Sequence, residues 1–148
     1  MLMEISKKGI NLIKEFEGCK LQAYKCVAGK WTIGYGHTSN VKSGDRITQD
    51  QAEEYLKSDL VQFENLVNDK SYVPQTLNQN QFDALVSFAF NLGGKNLKEL
   101  CNANYAPNEK TTDHIAEEIT LYVKAGGKIV QGLVNRREKE KKLFLGEI

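Results

Sequence analysis

The sequence predicts an α+β fold that is mostly helical. Three observations favour it: a single β-type segment at Leu21–His37, one long amphipathic helix after Thr48, and helical spacing of apolar residues after Pro74. At 148 residues the chain can bury one substantial core but is short for two independent domains. We therefore expect a single domain, residues 1–148, with its sheet near the N-terminus.

The first predicted helix lies directly before the β-type segment. Its apolar residues recur at helical spacing, at Ile10, Ile13 and Phe16. Ser6 is a suitable N-cap residue, and Gly18 is a suitable helix stop. The pattern therefore places Glu17 in the last helical turn.

The β-type segment Leu21–His37 predicts a small hairpin. Its turn contains the sequence V-A-G from Val27 to Gly29, and larger residues alternate with smaller ones from Trp31 to Gly36. We expect residues before Asp45 to extend this sheet.

Helices are predicted for the remainder of the chain. The T-Q-D-Q sequence from Thr48 to Gln51 is a capping box that opens a long helix, expected to run to about Asn68. The segment Asn80–Leu92 is apolar on nearly every side and is followed by two glycines, which predicts a buried helix. Three shorter amphipathic stretches follow, at Leu97–Ala103, Asp113–Lys124 and Asn135–Phe144. The C-terminal part is therefore predicted to be all helix.

The composition excludes several functional classes. With 20 basic and 19 acidic residues the net charge is +1, which gives no bulk signal for nucleic acid or an acidic membrane surface. The three cysteines, Cys19, Cys26 and Cys101, are an odd number without metal-ligand spacing. We expect neither a disulfide framework nor a metal site, and no cofactor.

Glu17 is an unusual carboxylate because it is the only acidic residue from Phe16 to Thr38. A carboxylate in the final turn of a helix faces the negative end of the helix dipole, which raises its pKa. Two interpretations follow: a solvated surface glutamate, or a general acid kept protonated near neutral pH, as in glycoside hydrolysis.

Other polar candidates also have structural interpretations. Thr32 is a natural strand residue, although its hydroxyl could hold a water molecule. His37 and Asp59 would form a structural ion pair if the fold joins them. The Arg136–Arg137 pair, followed by alternating glutamates and lysines, is typical of a solvated helix face.

The motifs taken together resemble the phage-type lysozymes, the muramidases that phages use as endolysins. The matching motifs, in the family's order, are F-E-G, A-Y-K and W-T-I-G-Y-G-H-T within Phe16–Thr38, I-T-Q-D-Q-A-E at Ile47–Glu53, Q-F-D-A-L-V-S-F-A-F-N-L-G at Gln81–Gly93, and G-L-V-N-R-R-E-K-E at Gly132–Glu140. The resemblance covers about Ile10 to Leu145. It implies a lysozyme-like fold: a sheet-bearing N-terminal lobe at about 15–60, and a helical lobe at about 70–148 that includes the first helix.

The resemblance also implies an activity and a set of site residues. The family cleaves the β-1,4 bond between N-acetylmuramic acid and N-acetylglucosamine, so Glu17 is expected to be the general acid and Thr32 to position the attacking water. Residues expected to contact the sugar are Thr38, Phe90 and Asn91. Supporting roles are expected for Arg136, which should approach Glu17, and for His37, which should pair with Asp59.

One position departs from the family pattern of Glu, eight residues, Asp, five residues, Thr: the middle position here is Cys26. A thiol reaches about as far as an aspartate oxygen, but with a reference pKa of about 8.5 it is mostly neutral at pH 7. Lys25 and Lys30 could favour the thiolate, or could simply face solvent.

Three functional hypotheses remain for this departure. The first, which we favour because the other motif positions are intact, is a working muramidase in which Cys26 replaces the aspartate. The second is a lytic transglycosylase, which needs only the acid and leaves an anhydro sugar. The third is a catalytically impaired wall-binding homologue.

The resemblance further implies how the protein is used. The expected partner is bacterial peptidoglycan, with no nucleic acid, no membrane insertion and a monomeric state. The N-terminal segment has charges scattered among its apolar residues, so we expect no signal peptide. The protein would be made in the host cytoplasm and act on the cell wall after release.

Overall fold

A computed structural model describes residues 2–148, and it confirms the mostly helical α+β fold. The helices and strands, in chain order, are α1 (Lys7–Glu17), β1 (Lys20–Lys25), β2 (Trp31–Gly34), α2 (Gln49–Asn68), α3 (Gln79–Leu92), α4 (Gly94–Asn102), α5 (Thr112–Glu118), a 3-10 turn (Ile119–Leu121), β3 (Lys124–Ala125), β4 (Lys128–Ile129) and α6 (Gln131–Phe144). Within residues 2–148, no helix is both long and apolar enough to cross a bilayer.

The chain divides into two compact units. The hairpin unit is Asn11–Gln62, and the helical unit contains the residues up to Ile10 together with Phe63–Ile148. Both boundaries fall inside helices, the first in α1 and the second in α2. The first helix therefore contributes residues to each unit. The assignment of all 148 residues to one domain stays a prediction.

The predicted hairpin forms in the hairpin unit. Strands β1 and β2 pair antiparallel, and the turn closes with a hydrogen bond from Cys26 N to Lys30 O at 2.9 Å. Gly29, whose φ is 80°, provides the left-handed conformation that this turn requires. Two isolated bridges extend the sheet: His37, which precedes Asp45, pairs with Ile33, and Arg46 pairs with Gln22, next to the hydrogen bond from Ala23 N to Asp45 O at 2.9 Å.

The first helix begins and ends for different reasons. It ends at Glu17 as predicted, because Gly18 adopts a φ of 66° and its N–H donates to Lys14 O at 3.0 Å. At the other end, Ser6 lies directly before α1, and its carbonyl accepts from Ile10 N at 3.0 Å, so it occupies the predicted N-cap position. Both the backbone N–H and the hydroxyl of Ser6 donate to the carboxylate of Asp83 in α3, which is fully buried.

The long helix α2 begins with the predicted capping box. Thr48 Oγ1 accepts from Gln51 N at 3.1 Å, and Gln51 Oε1 accepts from Thr48 N at 2.9 Å. The helix ends at Asn68, as predicted. Its buried apolar residues are Ala52, Leu56, Leu60 and Val67.

Helix α3 forms the core of the helical unit. Every residue from Phe82 to Ala89 is buried, and a capping box between Asn78 and Gln81 starts the helix one residue before the predicted position. Gly93, with a φ of 88°, ends it. Asp83 and Ser87 are buried polar residues within this otherwise apolar helix.

The prediction of an all-helical C-terminal part is wrong in one segment. Helix α5 ends at Glu118, and the short strands β3 and β4 form a second antiparallel hairpin. Gly126 and Gly127, whose φ values are 57° and 79°, make the turn. Helix α6 consequently begins at Gln131, before the predicted Asn135.

Candidate active site

The structure distributes the predicted site residues between the two units. The hairpin unit contains six of them, namely Glu17, Cys26, Thr32, His37, Thr38 and Asp59. The helical unit contains the other three, namely Phe90, Asn91 and Arg136. Among residues 2–148, no group of three or more His, Cys, Asp or Glu side chains is arranged to hold a metal ion.

Glu17 is half-buried at the C-terminal end of α1, and a glycine leaves space beside its carboxylate. A Cβ atom at Gly36 would lie 3.3 Å from Glu17 Oε1. Gly36 also has a φ of 80°, which strains any L side chain. The G-Y-G-H sequence therefore keeps one side of the Glu17 carboxylate uncrowded, a role that the hairpin signal alone did not reveal.

Cys26 is half-buried at the end of β1, where the hairpin turn begins. The pKa of its thiol lies below the ordinary value, and the largest cause is a backbone hydrogen bond from Lys30. A backbone hydrogen bond from Ala28 and the Thr32 side chain act in the same direction, while partial burial opposes them. The turn thus stabilises the thiolate with donors that have no net charge.

This cause differs from the one expected from the sequence. The ammonium groups of Lys25 and Lys30 were candidates, but it is the backbone of Lys30 that bonds the thiol. The Lys25 ammonium lies over the ring of Trp31, 5.5 Å from its centroid. The fold of the turn, rather than neighbouring positive charge, therefore favours thiolate at this position.

Thr32 lies on β2 and is paired with Tyr24 of β1, two residues before Cys26. Its side chain is buried, and its hydroxyl donates to Lys30 O at 3.1 Å. A hydroxyl has one hydrogen and can rotate, so the same group can donate to the Cys26 thiolate when the thiol ionises. Its lone pairs remain available to accept a hydrogen bond from water.

The side chains of His37 and Asp59 are hydrogen-bonded within the hairpin unit. His37 Nδ1 lies 2.8 Å from Asp59 Oδ2 and 3.0 Å from Asp59 Oδ1. The imidazole stacks on the ring of Tyr55, with 4.3 Å between the centroids. Because the backbone of His37 also pairs with Ile33 at 2.9 Å in both directions, these contacts join the hairpin to α2.

Thr38, the last predicted site residue of the hairpin unit, and the two other cysteines differ from Cys26 in their exposure. Thr38 is exposed, next to His37, and Cys19 is exposed just after α1. Cys101 is buried in α4, and burial raises the pKa of its thiol to about 12. Cys26 thus differs from Cys101 in combining a lowered thiol pKa with partial exposure.

In the helical unit, Phe90 and Asn91 lie in the last turn of α3. The rings of Phe63 and Phe90 pack edge to face, with centroids 5.6 Å apart. Asn91 Oδ1 accepts a hydrogen bond from Arg137 Nη2. Both residues are half-buried.

The interpretation of Arg136 and Arg137 as a solvated helix face is wrong. Their residual exposures are 4% and 0%. Arg136 Nε lies 3.3 Å from Glu140 Oε2, and Arg137 Nε lies 3.1 Å from Glu140 Oε1. Glu140 is itself fully buried and accepts a hydrogen bond from Ser87 Oγ at 2.5 Å. These four residues form a buried polar cluster, and the approach of Arg136 to Glu17 stays a prediction.

Comparisons with known proteins agree with this architecture. The family model described as phage lysozyme matches residues 14–140. An endolysin of Acyrthosiphon pisum secondary endosymbiont phage 1 is 43% identical, over 96% of this chain and 98% of the relative. The endolysin of Bacillus phage PZA is 48% identical over 96% of this chain, which spans 55% of that longer protein.

A solved structure gives the same result for the fold. The endolysin from Escherichia coli O157:H7 phage FAHEc1 superposes with a TM-score of 0.84 at 36% identity, covering 99% of this chain and 96% of that one. The family match includes the positions of Glu17, Cys26, Thr32 and Arg136. The chain therefore belongs to the phage lysozyme family and is a peptidoglycan-degrading glycoside hydrolase of the muramidase type.

Proposed function

We propose that the chain hydrolyses the β-1,4 bond between N-acetylmuramic acid and N-acetylglucosamine, with Glu17 as general acid and the Cys26 thiolate as general base. The observation that supports this most directly is the hydrogen bonding of Cys26 by its own turn, which lowers the thiol pKa. An aspartate at this position would supply a negative charge. When the Cys26 thiol ionises, its thiolate would supply the same charge, and the backbone of Lys30 and Ala28 favours that form.

The proposed reaction balances with these two groups. As the glycosidic bond breaks, the Glu17 carboxyl gives its proton to the leaving oxygen of N-acetylglucosamine. The oxygen of a water molecule bonds to C1 of the muramic residue, and the Cys26 thiolate takes one proton of that water. Glu17 is then a carboxylate and Cys26 a thiol, and transfer of one proton through solvent restores the starting state.

The other site residues are assigned positioning roles. Thr32 would hold the attacking water through its hydroxyl lone pairs while its hydrogen bonds Lys30 O or the thiolate. Thr38, Phe90 and Asn91 would contact the sugar. Arg136 would support the acid, and the His37–Asp59 pair would hold the hairpin that contains Cys26.

Substitution of the acid tests the enzymatic assignment. Glu17→Gln keeps the shape and hydrogen-bonding capacity of the side chain but has no proton to transfer. Because proton donation to the leaving oxygen contributes about 10²- to 10⁴-fold, clearing of a bacterial wall suspension should slow by at least about 100-fold. The matched control is Glu54→Gln, on an exposed position of α2, which should clear walls at the normal rate. Full lytic activity in Glu17→Gln would end the assignment.

Product analysis separates hydrolysis from its alternatives. Mass spectrometry of digested peptidoglycan should find reducing muramic ends, since water is the attacking group. Anhydro-muramic ends, lighter by one water, would identify a lytic transglycosylase, which has no need of a base at Cys26. Unchanged glycan strands in the presence of bound protein would identify a wall-binding homologue.

We also propose that the chain acts on the wall as a monomer and without entering the membrane. The 16.7 kDa mass makes the test simple, because sedimentation equilibrium at micromolar concentration distinguishes one copy from two. A concentration-independent mass of a single chain is expected, and a stable dimer would contradict the proposal.

A further inference from the structure

Asn91 is held in one orientation by the chemistry of its neighbour. Its Oδ1 accepts a hydrogen bond from Arg137 Nη2. A guanidinium group has only donors. If the Asn91 amide were rotated by 180°, its Nδ2 N–H groups would face the N–H groups of Arg137, and neither could accept a hydrogen bond. The acceptor end of Asn91 must therefore face Arg137, which leaves the two N–H donors of Nδ2 for a different partner.

Arg137 is itself enclosed by a carboxylate and an aromatic ring. It is fully buried, its Nε lies 3.1 Å from Glu140 Oε1, and its guanidinium carbon lies 5.1 Å from the ring centroid of Phe88. Burial lowers the pKa of Arg137, while Glu140 favours its charged form. Because this fully buried guanidinium lies beside a carboxylate and over an aromatic ring, there is little space for it to turn away from Asn91.

Stability alone is a weak explanation for this arrangement. Removing charged groups from water is costly, and apolar side chains of similar volume often replace a buried ion pair without loss of stability. Here the cluster of Arg136, Arg137, Glu140 and Ser87 brings three ionisable groups into the helical unit, each at most 4% exposed. The cluster contacts a predicted sugar-binding residue through the hydrogen bond from Arg137 to Asn91.

We propose that Arg137 is a positioning residue that holds the Asn91 amide so that Nδ2 donates a hydrogen bond to an acceptor oxygen of the N-acetylated glycan. This inference rests on the proposed function, because it takes Asn91 as a sugar-binding residue. The acceptor would be the carbonyl oxygen of an N-acetyl group or a hydroxyl oxygen. Arg137 contributes to glycan affinity only through Asn91.

A double-mutant cycle tests whether Arg137 acts through Asn91. The dissociation constant for soluble, uncrosslinked strands of alternating N-acetylglucosamine and N-acetylmuramic acid is measured by calorimetry in the Glu17→Gln background. Asn91→Ala and Arg137→Met should each weaken binding by about tenfold, the loss expected for one hydrogen bond in a polar site. The double variant should be no weaker than Asn91→Ala. Lys142→Met, which removes a charge from an exposed position of α6, should bind normally.

A purely structural role for Arg137 predicts a different result. In that case the two losses multiply, and the double variant binds about 100-fold more weakly. Such multiplied losses would overturn the inference. If Arg137→Met does not fold, the cycle is measured with Arg137→Lys. Lysine keeps the positive charge but replaces the planar guanidinium, with its several N–H donors, by one ammonium group.

Asn91→Asp provides an independent test. It keeps an acceptor oxygen for Arg137 but replaces the Nδ2 donors by a second oxygen. Thermal stability should be retained, because the new carboxylate pairs with Arg137, while glycan binding should weaken by about tenfold. Unchanged binding would reject the donor role of Asn91. These outcomes differ from failure of the proposed function, which would appear as wall clearing by Glu17→Gln itself.

Discussion

Replacing Glu140 by glutamine removes the only carboxylate of the buried polar cluster. Glu140 accepts from Ser87 Oγ at 2.5 Å and lies 3.3 Å from Arg136 Nε and 3.1 Å from Arg137 Nε. The side chain is fully buried. Glu140→Gln keeps its size, so the change tests the charge with little change in packing.

The expected cost follows from leaving the fully buried guanidinium of Arg137 without the carboxylate beside it. Breaking one partner of a buried ion pair typically costs about 3 to 5 kcal/mol. Against a total stability of about 5 to 15 kcal/mol, this is a large fraction. At about 2 to 4 °C per kcal/mol for a chain of this size, the melting temperature should fall by about 6 to 20 °C.

Urea denaturation monitored by circular dichroism measures this cost. The matched control is Glu138→Gln, which makes the same chemical change on the exposed side of α6 and should stay within about 0.5 kcal/mol of the parent. Burial raises the pKa of Glu140, although both arginines and Ser87 favour its carboxylate form. A loss below about 1 kcal/mol would mean that Glu140 is already protonated in the fold, which would refute the ion-pair reasoning.

Two other predictions concern the core and the thiol. Leu85→Ala, at a fully buried position of α3, should cost about 2 to 5 kcal/mol through cavity formation, and a near-zero change on chemical denaturation would contradict the assigned core. Thr32→Val should slow wall clearing less than Glu17→Gln does. It should also raise the thiol pKa of Cys26, because the Thr32 side chain is one of the smaller causes that lower this pKa. Titration of thiolate absorbance would then show a midpoint at higher pH.

Local signals explain which parts of the fold the sequence predicted well. The capping box at Thr48 and the hairpin turn before Lys30 are made by residues within four positions of one another, so their hydrogen bonds can be anticipated from spacing. The end of α1 is similar, because Gly18 alone provides the left-handed stop that places Glu17. The position of the candidate acid was therefore accessible from sequence.

The errors arose where distant residues decide the outcome. The hydrogen bond from the Ser6 hydroxyl to Asp83, 77 positions away, is a contact that the N-cap pattern does not predict. Arg136 and Arg137 look solvated until Ser87 and the packing of α3 bury them. A periodicity argument treats charged residues as surface residues and cannot anticipate a buried cluster in which two arginines share one glutamate.

The cause of the lowered thiol pKa was also hidden from the sequence. Adjacent lysines suggested a charge effect, whereas the structure gives the leading role to the backbone of Lys30 and a further one to that of Ala28. Backbone N–H groups have no sequence signature, and their direction depends on the turn type. The second hairpin at Gly126 and Gly127 was missed for a related reason, since its strands have only two residues each.

The central claim is that Cys26 supplies the negative charge that an aspartate usually supplies. The most direct measurement is the pH dependence of wall clearing for the parent, Cys26→Ser and Cys26→Asp. Activity should rise with pH as the Cys26 thiol ionises, and the rising limb should move to much lower pH in Cys26→Asp, because an aspartate has an ordinary pKa of about 3.9. Cys26→Ser should be strongly impaired at every pH, since its hydroxyl does not ionise usefully. A fully active Cys26→Ser enzyme that still produces reducing muramic ends would contradict the account.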